Sequence, residues 1–208
     1  MKVYEQLLDR DLEWALREGS MHFEENNAVH NSLRRIAQRL KELGIPYAVA
    51  GGMALFVHRL RRFTEDVDIL VTREGLREIH RQLEGLGYVA PFAGSKNLRD
   101  AQDGVRIKFL ITGEYPGDGK PKPIAFPDPA QASIEKNGIL YLPLTNLIEL
   151  KLASGMTNPL RIQDIADAQR LIQELDLPAD FANKLNTFVR DKFTELWTVV
   201  HNNPSKSA

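Results

Sequence analysis

The chain has 208 residues, with 27 Lys and Arg against 28 Asp and Glu, a formal net charge of −1 and no cysteine. That length suits one domain, or one domain with a helical extension, and is ample for a core to form unaided. Charge balance argues against a broad nonspecific nucleic-acid surface, and the lack of cysteine excludes disulfides and thiolate metal sites. No apolar run approaches membrane-spanning length, and Met1-Lys2-Val3-Tyr4-Glu5 lacks a signal-peptide core, so the expectation is a cytoplasmic protein with no membrane partner.

Residues 4 to 18 predict a helix, with Leu8, Leu12 and Leu16 at helical spacing and Leu7 and Ala15 widening the stripe. A second helix opens at Asn31-Ser32-Leu33, lines one face with Leu33, Ile36, Leu40 and Leu43, and ends at Gly44. A strand from Pro46 to Ala50 runs into Gly51-Gly52, then a helix to about Leu60 and a strand carrying Asp66-Val67-Asp68. Leu76, Ile79, Leu83 and Leu86 describe a helix that closes at Gly87, and Tyr88 to Phe92 and Val105 to Ile111 read as strands separated by a polar turn. The segment from Gly113 to Pro129 holds five prolines and three glycines, predicting a stiff irregular loop. Its Lys120 and Lys122 either face an acidic substrate or belong to a solvated linker. Asn137-Gly138 signals a hairpin joining Ala132–Lys136 to Ile139–Leu142.

After Pro143 the periodicity is helical. Asn146 and Glu149 have capping-box-like spacing, with Gly155 as the stop, and Pro159 begins another helix with Ile162, Ile165, Leu171 and Ile172 inward. From Asp180 a last helix carries Phe181, Leu185, Phe188, Val189, Phe193, Leu196, Trp197 and Val200 on one stripe. That stripe is either core or a partner surface, the latter implying a homo-oligomer through the C-terminal helix. The tail after Asn203 is expected to fray.

The chemistry concentrates at Asp66 and Asp68. Side chains at i and i+2 of a strand share a face, so both carboxylates project together while Val67, Ile69 and Val71 enter the core. Such a pair suits a hard cation, and Mg²⁺ is commonly held by one or two carboxylates plus substrate phosphates. Gly51 and Gly52 are then either a tight turn or a bare-backbone cradle for phosphates, assisted by the helix that follows. His58 is packed, capping or catalytic; Arg62 neutralises phosphate charge or pairs with Glu65. Asp9-Arg10-Asp11 has the same spacing but no glycine turn before it, and reads as a solvated face.

The stretch Val49 to Val71, with Gly51, Gly52, His58, Arg62, Thr64, Asp66 and Asp68, resembles the nucleotidyltransferase superfamily related to DNA polymerase beta, and more narrowly the abortive-infection-type and minimal nucleotidyltransferase-like proteins. The segment Leu147 to Ile172, with Lys151, Arg161, Asp164 and Asp167, is similar to that family's C-terminal helices. The resemblance implies an α+β fold with a mixed sheet flanked by helices: a core over residues 1–143 and a C-terminal helical region over 144–208. It also implies an NTP and Mg²⁺ as partner and cofactor, with Asp66 and Asp68 as metal ligands and Gly51, Gly52, Arg62, Thr64 and Lys151 at the nucleotide. Lys151 otherwise salt-bridges Asp164 or Asp167, which lie one helical step apart.

Family members carry a third acid on a neighbouring strand. Here Val105, Ile107, Phe109 and Ile111 take one face, leaving Arg106, Lys108 and Leu110 on the other, so Lys108 stands where that acid is expected. Glu114 has the right parity but lies about 20 Å along the strand, and Asp103 has the wrong parity. A lysine there would compete with a cation for the aspartates. Three readings follow: a one-metal enzyme with Lys108 as a phosphate clamp, a protein that only binds nucleotides, or an inactive scaffold such as a toxin-antitoxin component. The leading expectation is transfer of a nucleoside monophosphate to a hydroxyl of RNA, protein or a small molecule.

Overall fold

The computed structural model describes residues 3–202; Met1, Lys2 and the tail from position 203 onward, where fraying is expected, lie outside the described residues. The chain begins with helices α1 (Tyr4–Arg10), α2 (Leu12–Phe23) and α3 (Ala28–Glu42), followed by β1 (Tyr47–Val49), α4 (Gly51–Val57), β2 (Asp66–Val71) and α5 (Arg73–Leu83). Strands β3 (Tyr88–Val89), β4 (Leu98–Asp100), β5 (Arg106–Ile111), β6 (Ile134–Lys136) and β7 (Ile139–Tyr141) come next, then α6 (Leu144–Thr157), α7 (Ile162–Glu174) and α8 (Thr187–Asn202), with 3-10 turns at Pro159–Arg161 and Ala179–Lys184.

The strands form one mixed sheet in the order β3-β4-β5-β2-β1-β7-β6. At its centre β2 runs antiparallel to β1 and parallel to β5. The parallel pairing sets Asp66 opposite Arg106 and Asp68 opposite Lys108. Val105, Ile107, Phe109 and Ile111 are buried, so the alternation read in the sequence is the alternation of the sheet. The hairpin forms where expected, with Asn137 and Gly138 both at positive φ, as its two-residue turn requires.

The single predicted N-terminal helix is two. Asp11 caps α2 by accepting a hydrogen bond from the Trp14 amide at 2.9 Å, so the second acid of Asp9-Arg10-Asp11 is a helix cap. The break changes the buried face: Leu12 and Leu16 are 74% and 65% exposed, while Tyr4, Glu18 and His22 point inward. Helix α3 starts earlier than its leucine pattern suggests because Asn27 caps it, accepting from the His30 amide at 3.1 Å. Strand β4 lies in the stretch read as a turn. Helix α6 runs through Gly155 to Thr157, and a Cβ at Gly155 would come within 2.5 Å of Ile165, so this glycine lets α6 and α7 approach closely. Asn146 does not cap it; the N-cap is Pro143. Ile162, expected inward, is 69% exposed.

One buried cluster runs from α3 and the sheet through Leu147, Ile148 and Leu152 of α6 to Leu171, Val189, Phe193 and Leu196. The C-terminal apolar stripe is therefore spent mainly inside the molecule. Among the described residues no helix is long and apolar enough to cross a membrane.

Candidate functional site

The end of β1, the start of α4 and the face of β2 meet at the acidic pair. Gly51 has φ +57°, a left-handed conformation that favours glycine, and a Cβ there would overlap the Asp68 carboxyl. A Cβ at Gly52 would lie 2.7 Å from Thr64 Cβ. Both glycines are thus explained first by close packing: their bare backbones make room for Asp68 and Thr64. The Thr64 hydroxyl donates to Asp66 Oδ1 at 3.2 Å and helps fix the first carboxylate.

Lys108 Nζ is ion-paired with Asp66 Oδ2, and Arg106 approaches the same oxygen at 3.6 Å. Asp68 makes no ion pair among the described residues. Although Asp68 is only half-buried as a residue, its carboxyl lies inward against Gly51. Burial, and then the Asp66 charge, lift that carboxyl to about 6, against the pull of Lys108, Lys151 and Arg161. Among the described residues no other acid completes the set. Glu114 pairs with Arg73 and Lys96 at 3.4 and 3.7 Å, and Asp103 pairs with Arg35. Among the described residues there is no group of three His, Asp or Glu side chains able to hold a metal.

A second charged cluster borders the first. Buried Lys151 donates to Asp164 at 2.9 Å and to Asp167 at 2.8 Å, and Ser154 and Arg161 donate to the other oxygen of Asp164 at 2.7 and 2.8 Å. Burial works to raise the Asp164 pKa, but Lys151, Ser154 and Arg161 hold it below the usual carboxylate range. Arg62 reaches Asp167 at 3.4 Å rather than pairing with Glu65, and so ties the loop before β2 to α7. The salt-bridge reading of Lys151 describes its contacts, yet Lys151 still borders the cavities beside Asp68. His58 is buried at the end of α4, where Nε2–H donates to the Leu142 carbonyl at 2.9 Å and burial lowers its pKa. It lines neither cavity described next.

Two cavities meet at Gly51, Asp68, Lys108, Lys151, Arg161 and Asp164. The first, about 380 Å³, is predominantly polar and is bordered by Gly52, Arg62, Thr64, Asp66 and Arg161. The second, about 370 Å³, is walled by Leu110, Tyr115, Phe126, Leu142, Leu147 and Leu150. Its outer wall is the Pro- and Gly-rich loop, clamped onto α6: a Cβ at Gly117 would lie 2.7 Å from the Ser154 carbonyl, and Asn158 Nδ2 donates to the Gly117 carbonyl at 3.2 Å. Lys122 is used within the loop, donating to the Pro116 carbonyl at 2.6 Å and pairing with Asp118. Tyr115 and Phe126 had no periodic signal in the sequence; Leu110 could be found from its parity with Lys108.

This sheet, the acidic β2 and the glycine turn beside it define a protein of nucleotidyltransferase fold, resembling the superfamily related to DNA polymerase beta. More narrowly, residues 32–115 match the sequence profile described as aminoglycoside-2''-adenylyltransferase. Two solved structures share the fold. The protein ANT(2'')-Ia, crystallised in complex with adenylyl-2''-tobramycin, aligns over 79% of this chain and 96% of its own, with a TM-score of 0.50 and 14% identity. An antigenic nucleotidyltransferase-like protein from Paracoccidioides brasiliensis aligns over 85% of this chain and 89% of its own, with a TM-score of 0.51 and 16% identity. No curated protein sequence matches this chain.

Proposed function

We propose that the protein binds a nucleoside triphosphate together with one Mg²⁺ and transfers the nucleoside monophosphate to a hydroxyl acceptor, releasing pyrophosphate. The observation that carries this reading is the acidic pair on one strand face, set beside Gly51-Gly52 at the junction of the two cavities. Asp66 and Asp68 suffice for one Mg²⁺ whose remaining positions go to phosphate oxygens and water, and the lack of a third acid argues for one ion rather than two. Bound there, the ion would supply charge neutralisation at the phosphates.

Lys108 would turn from Asp66 toward the phosphates as the cation arrives, so its charge remains in use. Arg62 and Arg161 border the polar cavity and offset the charge of the triphosphate tail. In the transfer, a bond forms between the acceptor oxygen and the α-phosphorus while the bond from that phosphorus to the bridging oxygen breaks, and pyrophosphate leaves with the electron pair. Asp68 borders both cavities and would hold the cation where the acceptor oxygen meets the phosphate, and the acceptor proton passes to water. Positioning and electrostatics do the rest.

The Lys108–Asp66 ion pair favours a second reading, a nucleotidyltransferase-fold interaction protein without catalysis, such as a toxin-antitoxin component. Incubation with labelled NTPs and cell extract separates the two. Label transferred by the wild type and lost in both Asp66→Ala and Asp68→Ala supports the enzyme; oligomers that form without nucleotide, with no transfer, support the alternative. The labelled species would also show whether the acceptor is RNA, protein or a small molecule.

A further inference from the structure

The two cavities differ in chemistry where they meet. The polar one presents Gly52, Arg62 and Thr64 and matches a phosphate tail; the other lacks all three and adds Leu110, Tyr115, Phe126 and Leu150, while Lys108, Lys151 and Arg161 border both. A hydroxyl seated in the apolar cavity therefore reaches Asp68, which both cavities share, without occupying the space beside Gly52, Arg62 and Thr64.

The charges bordering the apolar cavity are Asp68 and Asp164 against Lys108, Lys151 and Arg161. Asp164 has both oxygens taken, one by Lys151 and the other by Ser154 and Arg161. Only Asp68 remains to receive an incoming cation, and it is shared with the polar cavity. A molecule rich in ammonium groups would give up its water here for Asp68, the one bordering carboxylate without an ion pair among the described residues. A neutral ring loses little on entry and covers Leu110, Tyr115, Phe126 and Leu150. The wall is held in place before any ligand arrives, because Gly117 is seated on α6 and Lys122 staples the loop.

Resting on the nucleotidyl-transfer reading, we propose that the apolar cavity is the acceptor pocket and takes a neutral aromatic or alicyclic alcohol in preference to a polycationic amino sugar. This sets the chain apart from the protein solved with adenylyl-2''-tobramycin, whose fold it shares.

The test uses three probes on the full chain: 2-naphthol as the neutral alcohol, tobramycin as the polycation and adenosine as the base. Binding is followed by naphthol fluorescence and equilibrium dialysis for wild type, Leu110→Glu and Phe126→Ala, with circular dichroism to check folding. Phe126 is half-buried in the loop, so its truncation spares the sheet. The expected result is 2-naphthol binding that weakens at least about tenfold in both variants, tobramycin binding at least about tenfold weaker than 2-naphthol, and no displacement by adenosine. Tobramycin binding as tight as 2-naphthol, naphthol binding indifferent to both substitutions, or competitive displacement by adenosine would each overturn the assignment. ATP titration of the same samples keeps the two claims separate. ATP failing to bind while 2-naphthol binds removes the nucleotidyl-transfer reading, and the acceptor role with it, but not the ligand class.

Discussion

Lys108→Met and Lys108→Asp separate the two effects of the ammonium at this site, since one removes its charge and the other also supplies the missing carboxylate. Opposite charges about 4 Å apart attract by about 4 kcal/mol at an effective dielectric near ~20. The Lys108 side chain is 37% exposed, so solvent screening reduces its attraction to Asp66 to roughly 1–3 kcal/mol. A divalent ion binding at Asp66 must first displace that ammonium. Lys108→Met should therefore raise cation affinity by roughly 5- to 140-fold, at about 1.4 kcal/mol per decade. Lys108→Asp should raise it further and add a second ion. Mn²⁺ titration followed by electron paramagnetic resonance, with and without a non-hydrolysable ATP analogue, gives both affinity and stoichiometry. Equal, tight binding by wild type and both variants would refute the competition.

Three further outcomes follow from the geometry. Gly51→Ala places a Cβ in the space of the Asp68 carboxyl at a left-handed backbone position, and should cost roughly 1–3 kcal/mol in thermal or urea unfolding while weakening Mn²⁺ binding. Asp167→Ala leaves the buried Lys151 ammonium short of a counterion and should cost roughly 3–5 kcal/mol, whereas the double variant Lys151→Met with Asp167→Leu should recover much of that loss. Burial, with the neighbouring His22 and Arg34 charges, lowers the His30 pKa from 6.5 to about 4. Folding then disfavours its protonation, so the stability present above pH 6.5 falls by about 3 kcal/mol as pH drops toward 4, and His30→Phe should flatten that part of the unfolding profile.

The glycine turn, the acidic strand and the Lys108 substitution were legible because each depends on local rules: strand parity, backbone freedom and the spacing between short elements. The hairpin at Asn137-Gly138 was legible for the same reason. Leu12 and Leu16 misled because their spacing was helical while the cap at Asp11 restarted the helix and turned that face outward. The glycines were read as a phosphate cradle or a turn, whereas the parts that crowd them, Asp68 on β2 and Thr64 in the loop before it, are folded back across the chain. The apolar cavity was hidden for a similar reason. Tyr115 and Phe126 sit in a loop without periodicity, and they become a wall only when Gly117 meets α6, a contact between segments about forty residues apart.

Arg62, reaching across to Asp167 from the loop before β2, fastens the acidic strand to a helix a hundred positions later. Whatever draws that guanidinium toward an anion loosens its grip on α7, so occupancy of the polar cavity has a lever on that helix. Slower or faster amide exchange along α7 as far as Glu174 on ligand addition would make that lever visible.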